Sequence, residues 1–169
     1  PLPIAQLTAE LQTREGIDFE KAELLAHISG GRPGFALQLL HDSEQLQRRN
    51  NWLEDITLLL QANHRERFAY CERNFYSRKE ERTVIRERLN EALIVWLSYW
   101  RDVLVTIWAA NIPLVNLDRT DQIQQLSKTV SASQAQHLTQ RMESSLTRLS
   151  NANLRLLAES ILLEWPYLS

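Results

Sequence analysis

Along the whole chain, hydrophobic residues recur at spacings of three and four, the period that places them on one face of an α-helix. Ile4, Leu7 and Leu11 share a face of a first helix, which Gly16 stops. Asp18 is placed to cap a second, whose apolar positions Phe19, Ala22, Leu25, Ala26 and Ile28 run to a break at Gly30-Gly31. Pro33 suits the first turn of a short third helix, where its missing N–H costs nothing, and Phe35, Leu37 and Leu40 can pack back on the first two. These elements make a three-helix unit over residues 1–41.

A larger helical body is expected over residues 42–169. Its first helix runs from the cap Asp42 to about Ala62, with Leu46, Trp52, Leu53, Ile56 and Leu60 turned inward. Asn63 starts the next, with Phe68, Cys71 and Phe75 as its buried stripe. From about Arg78, the residues Ile85, Leu89, Leu93, Trp96, Trp100, Leu104 and Ile107 trace one seam along a single helix or two nearly collinear ones, ended by Asn111-Ile112-Pro113. After a short connector, Asp118 or Thr120 caps a helix carrying Ile123, Leu126 and Val130, and Ser131 or Ser133 starts another through Leu138, Met142, Leu146 and Leu149. Asn151-Ala152-Asn153 interrupts that pattern, and a last helix from Leu154 to Trp165 is closed by Pro166. No Val/Ile-rich strand pattern and no fixed-period repeat is present, so the expected fold is all-α.

Composition narrows the function classes. The chain has 169 residues, 44% hydrophobic and 24% charged, enough to bury a core without a disulfide or structural metal. Nineteen basic against 21 acidic residues argue against nonspecific coating of DNA, which needs many cations to displace counterions. Cys71 is the single cysteine, so neither an intrachain disulfide nor a cysteine-based zinc site can form, which fits a reducing cytoplasm. The most apolar stretch, residues 92–110, is interrupted by Ser98, Arg101 and Asp102 and is not a membrane span. No secretory leader opens the chain, and its start at Pro1 reads as a fragment boundary.

Recognisable catalytic patterns are missing: the chain has no G-x-x-x-x-G-K-[ST] loop, no H-E-x-x-H and no G-x-S-x-G. His27, His41, His64 and His137 fall on different elements without partners at zinc-site spacing, and Cys71 lies on an apolar stripe as an inert thiol. No catalytic residue, metal or cofactor is therefore expected. Residues 61–90 hold eight basic side chains (Arg65, Arg67, Arg73, Arg78, Lys79, Arg82, Arg86, Arg88) against five acidic ones, an excess that favours an acidic partner without establishing one. Trp96 and Trp100 share a helical face and Trp108 lies two turns further on, while Trp52 and Trp165 come from elsewhere. Most should be core, with one or two left as anchors for a protein contact.

Ser29-Gly30-Gly31-Arg32-Pro33-Gly34-Phe35-Ala36-Leu37 is the sharpest local pattern, a helix stop followed at once by a helix start. A G-x-x-G element at a helix start can also hold an anion, although the structural reading is favoured.

LAHISGGRPGFALQLL, the later QRRNNWLEDITLLL and WLSYWRDVL segments and the final NANLRLLAESILLEWP occur in an order that resembles the C-terminal part of the delta-prime subunits of bacterial DNA polymerase III clamp loaders. The resemblance spans nearly the whole chain. It implies that residues 1–41 form the small lid of an AAA+ module and 42–169 a collar domain through which loader subunits join in a ring. It further implies a nucleotide-binding module upstream of Pro1. The partners would be the delta and gamma/tau subunits and, indirectly, the sliding clamp and primed DNA, in the replisome of a bacterial cytoplasm, with no membrane or small-molecule substrate.

Aligning Gly31, Ala36 and Leu37 with the family's G-x-x-R-x-A-L pattern puts Gly34 where hydrolysing subunits carry the sensor-2 arginine. Glycine supplies no charge there, a departure that fits a subunit without hydrolysis of its own. Candidate interface residues are Trp96, Trp100, Arg101, Trp108, Asn151, Asn153 and Arg155. A general helical adaptor, or a helical DNA-binding domain resting on the basic excess, are the alternative readings; an enzyme active by itself is the least favoured.

Overall fold

Polar caps and glycine stops set the helix ends. The structure, a computed structural model, describes residues 1–168, which form α1 (Ile4–Glu15), α2 (Phe19–Ile28), α3 (Pro33–His41), α4 (Ser43–Gln61), α5 (His64–Phe75), α6 (Arg82–Ile107), α7 (Thr120–Thr129), α8 (Ala132–Arg148) and α9 (Leu154–Leu163). A 3-10 turn at Leu117–Arg119 precedes α7, and no strand occurs among the described residues. The fold is all-α.

Asp18 caps α2 by accepting from the Lys21 N–H at 2.8 Å, and Asp42 accepts from Gln45 at 2.9 Å. Asn63 and Glu66 form a reciprocal capping box at α5, with bonds of 3.1 and 2.7 Å. Ser131 caps α8 and Asn153 caps α9, each at 3.2 Å. Each such cap contributes about 1 kcal/mol.

Two helix ends differ from the sequence expectation. The long helix starts at Arg82, not Arg78, because the Ser77 hydroxyl accepts from the Lys79 and Glu80 N–H groups (3.1 and 3.2 Å) and holds that segment in a turn. The last helix stops at Leu163, leaving Trp165 outside it.

Contacts group the chain into two compact units, one of Pro1–Arg48 with Asp102–Thr129, the other of Arg49–Arg101 with residues 130–168. The first therefore contains the expected three-helix cluster but extends past residue 42 and takes in a distant stretch. The His27 imidazole, whose Nδ1 pairs with the Leu114 carbonyl, and contact of α2 with the 3-10 turn account for that addition.

In the first unit, Leu7, Leu11, Ala22, Leu25, Ala26, Ala36 and Leu39 are buried together, with Ile4, Ile28, Phe35, Leu37 and Leu40 partly buried against them. Full burial of each large side chain contributes about 1.5–3 kcal/mol. Phe19, expected inside, is exposed at the edge of the face that Ala22, Leu25 and Ala26 define. The connector after α6 is held by Asp102. Its buried carboxylate accepts from the Val115 N–H (3.0 and 3.1 Å), the Asn116 N–H (2.8 Å) and the Asn116 side-chain amide (2.8 Å). Three donors offset the cost of removing that charge from water.

The C-terminal end of α6 closes in a Schellman motif, with Ala110 N–H donating to Val105 and Ala109 N–H to Thr106, both at 3.1 Å. Ala109 occupies the left-handed position at φ 49°, where a Cβ costs energy. Ala109→Gly is expected to raise stability by about 0.5–1 kcal/mol, read as a higher urea midpoint at unchanged slope.

The second unit is built around Trp96, which is fully buried and donates its indole N–H to the Trp52 carbonyl at 3.0 Å. Edge-on rings surround it: Trp52 at 6.0 Å, Phe75 at 6.2 Å and Trp165 at 5.3 Å between centroids, with Trp100 packed on Trp165 at 5.5 Å. The buried indole N–H groups of Trp52, Trp100 and Trp165 have no hydrogen-bond partner. The large apolar area of these rings offsets that deficit.

The inward stripe of α5 is Arg67, Tyr70, Cys71 and Phe75, whereas Phe68 is 40% exposed, the reverse of the sequence expectation at that turn. Arg67, 2% exposed, points its guanidinium at four backbone carbonyls: Leu59 (3.0 Å), Leu162 (2.9 Å), Trp165 (2.7 Å) and Pro166 (2.8 Å). Leu59 and Leu162 lie in the last turns of α4 and α9, whose carbonyls lack intrahelical partners and carry the negative end of the helix dipole. That is why a cation, and not a phenyl ring, occupies the site. Burial holds the Arg67 guanidinium below its ordinary pKa range.

Candidate functional site

Geometry makes the turn at residues 29–34 a structural joint. Gly30 and Gly31 adopt φ of 59° and 76°, and their N–H groups donate to His27 (3.0 Å) and Ala26 (3.1 Å), closing α2. Gly31 is required for a second reason: the Leu2 N–H donates to its carbonyl at 2.6 Å, and a Cβ there would lie 2.1 Å from the Leu2 carbonyl oxygen. Arg32 turns back on the joint, its Nε donating to the Ser29 carbonyl at 2.8 Å and its guanidinium lying 5.0 Å from the Phe35 ring centroid. Pro33 opens α3, and Gly34, exposed in its first turn, has ordinary φ and no atom within 4 Å of where a Cβ would stand. Nothing in the chain's own packing demands glycine at 34.

The candidate interface residues separate into three groups. Trp96 and Trp100 are wholly buried in the aromatic cluster and present nothing to a partner, which corrects their inclusion as surface anchors. Arg101 is exposed, and Trp108 is 55% exposed just beyond the end of α6. Asn151, Asn153 and Arg155 converge on one feature, an open groove of about 450 Å³ wholly within the second unit.

Two turns form the groove, residues 76–81 before α6 and 149–153 before α9. Buried Phe75, Ile85 and Leu154 make its apolar base. Arg82 ties the walls together by donating to the Ser150 carbonyl (3.3 Å) and the Ala152 carbonyl (2.8 Å). Arg155 bonds Glu159 at 2.7 Å, and its guanidinium lies 5.2 Å from the Tyr76 ring centroid. On the rim, Arg88 grips Glu80 through bonds of 2.5 and 3.1 Å, a pairing that holds the Glu80 carboxyl below its usual range. The sequence gave no direct signal for Arg82 or Tyr76 as members of this feature, since both sit in what read as a continuous charged helix face.

The basic excess of residues 61–90 is largely engaged within the chain. Arg67 is buried, Arg82 is bonded to carbonyls, Arg88 is paired with Glu80, and Arg78 donates to the Tyr76 hydroxyl at 3.3 Å. His137 pairs with Glu164 at 2.8 Å, and the same carboxylate accepts from Arg141 at 3.0 Å. Tyr70 donates to Asp55 at 2.5 Å; burial raises both groups above their ordinary pKa ranges, and the Asp55 charge pushes Tyr70 further. Among the described residues, no group of three or more His, Cys, Asp or Glu side chains is placed to hold a metal ion, and no helix is long and apolar enough to cross a membrane.

Cys71 is fully buried, and burial, followed by the nearby Glu159, pushes its thiol up to about 12. Only about one molecule in ten thousand then carries a thiolate at pH 8, and access is closed as well. Labelling by a water-soluble disulfide reagent is expected to proceed at the unfolding rate, rising with urea in parallel with the loss of tryptophan signal. Rapid labelling of the native chain would contradict the packing.

No family model matches the chain, and no curated protein is significantly similar to it.

Proposed function

We propose that the chain is a non-catalytic, subunit-assembly part of a bacterial DNA polymerase III clamp loader of the delta-prime type. In this reading residues 1–41 are the AAA+ lid and residues 42–169 the collar, and the chain helps to hold the ring that places the sliding clamp on primed DNA. The delta and gamma/tau subunits are its partners; nucleotide hydrolysis belongs to other members of the ring.

One observation carries the reading. At the joint between α2 and α3, Gly34 stands in the position of the sensor arginine, and the neighbouring Arg32 is bonded to Ser29 and stacked near Phe35. A joint that keeps the lid's backbone form while lacking a phosphate-directed arginine suits a position-holding subunit. The all-α architecture and the exposed Trp108, an aromatic of the type enriched at protein contacts, are in keeping with assembly. DNA binding is less favoured, because Arg67, Arg82 and Arg88 are engaged internally.

Sedimentation velocity of the chain mixed with delta and gamma/tau subunits from the same source tests the proposal. Heteromeric species persisting at micromolar concentration are expected. Separate species at those concentrations would overturn it, and salt-sensitive binding to primed DNA by the chain alone would favour the DNA-binding alternative.

A further inference from the structure

The groove between residues 76–82 and 149–155 has a chemistry that the assembly reading does not use and on which the following does not depend. Its polar lining is rich in donors. Arg82 and Arg155 each retain N–H groups beyond those bonded within the chain, Asn153 uses its side-chain oxygen on the Leu156 N–H and keeps its amide, and Asn151 is exposed with no side-chain partner. The acidic member of the lining, Glu80, already accepts two bonds from Arg88. Beneath these donors lies the apolar base of Phe75, Ile85 and Leu154. Such a site wants acceptors above and an apolar group below. Its volume of about 450 Å³ falls within the range of small-ligand sites and holds a few residues of chain.

We infer that this groove binds an extended peptide segment in which one carboxylate side chain lies beside apolar ones. The carboxylate meets Arg82 and Asn151, an adjacent apolar side chain fills the base, and the side-chain amides of Asn151 and Asn153 read the peptide's carbonyls. A nucleic-acid strand fits less well. Both arginines are partly neutralised or bonded internally, no lysine lines the groove, and Glu80 on the rim repels a run of phosphates.

The test is a nitrogen-15 NMR titration of the full chain with the capped pentapeptide Ser-Leu-Asp-Leu-Ser and its counterpart with asparagine in place of aspartate. Saturable shifts confined to the amides of residues 75–85 and 149–156 are expected at millimolar peptide or below. The asparagine peptide should bind about tenfold more weakly, the loss of one charge-assisted hydrogen bond. Asn151→Asp, at an exposed position without a side-chain partner, should weaken the aspartate peptide by a similar factor and leave the asparagine peptide nearly unchanged. Absence of saturable shifts, equal affinity for the two peptides, or indifference to Asn151→Asp would overturn the inference. So would a single-stranded oligonucleotide that binds the same amides more tightly than the peptide.

Discussion

Replacing Arg67 by methionine is expected to lower the unfolding free energy by about 3–5 kcal/mol, a large fraction of the stability of an ordinary domain. Methionine fills much of the volume but donates nothing, so the carbonyls of Leu59, Leu162, Trp165 and Pro166 are left without the donor that satisfies them. Arg67→Lys keeps the charge but presents a compact ammonium where a planar fork spans three chain segments, and it should recover only part of the loss. Urea unfolding followed by tryptophan fluorescence measures both, since Trp165 is one of the groups released. A loss below about 1 kcal/mol for Arg67→Met would mean that the four bonds contribute little net stability.

Gly31→Ala is the second large expectation, at about 2–4 kcal/mol of destabilisation. Two independent costs combine. The residue sits at φ 76°, and the new methyl would meet the Leu2 carbonyl oxygen at 2.1 Å, a backbone atom that cannot swing aside. Relief requires the segment carrying Leu2 to lift, breaking its 2.6 Å bond to the Gly31 carbonyl. Amide exchange at Leu2 should therefore accelerate along with the fall in thermal midpoint. Gly34→Ala is the internal control: its surroundings are open and its backbone ordinary, so the substitution should be neutral or stabilise by up to about 0.5 kcal/mol. Equal effects at 31 and 34 would remove the close approach as the cause.

Local chemistry was readable from the residues alone, whereas choices that depend on distant chain segments were not. The caps at Asp18, Asp42, Asn63 and Asn153 act within three residues of themselves, so their side-chain chemistry and spacing suffice to place helix starts. The seam Ile85, Leu89, Leu93, Trp96, Trp100 and Leu104 is buried as its period requires. Arg67 and Phe68 show the limit. Periodicity locates an inward face to within a residue, and hydrophobicity then selects phenylalanine; the carbonyls that select arginine instead lie 8 to 99 residues away. The grouping of residues 102–129 with the N-terminal helices has the same origin, because helix period says which face turns inward but not which neighbour receives it. At the groove, Asn151, Asn153 and Arg155 were singled out, while their companions Tyr76 and Arg82 were hidden by a turn that ends where a longer helix was expected.

Trp165 has a consequence for how the chain is made. Synthesis is vectorial, and the ring that closes around Trp96 and Trp100 is among the last to be added. While the ribosome is still translating residues 130–165, the earlier helices α4 to α6 hold a half-lined aromatic cavity that must be shielded or left open. The cluster α1 to α3 has no such delay, since its buried leucines and alanines all lie within the first 39 residues. A nascent chain arrested before α9 should thus protect its amino-terminal helices from protease while its tryptophans remain quenchable by solvent, and release of the completed chain should seal them together.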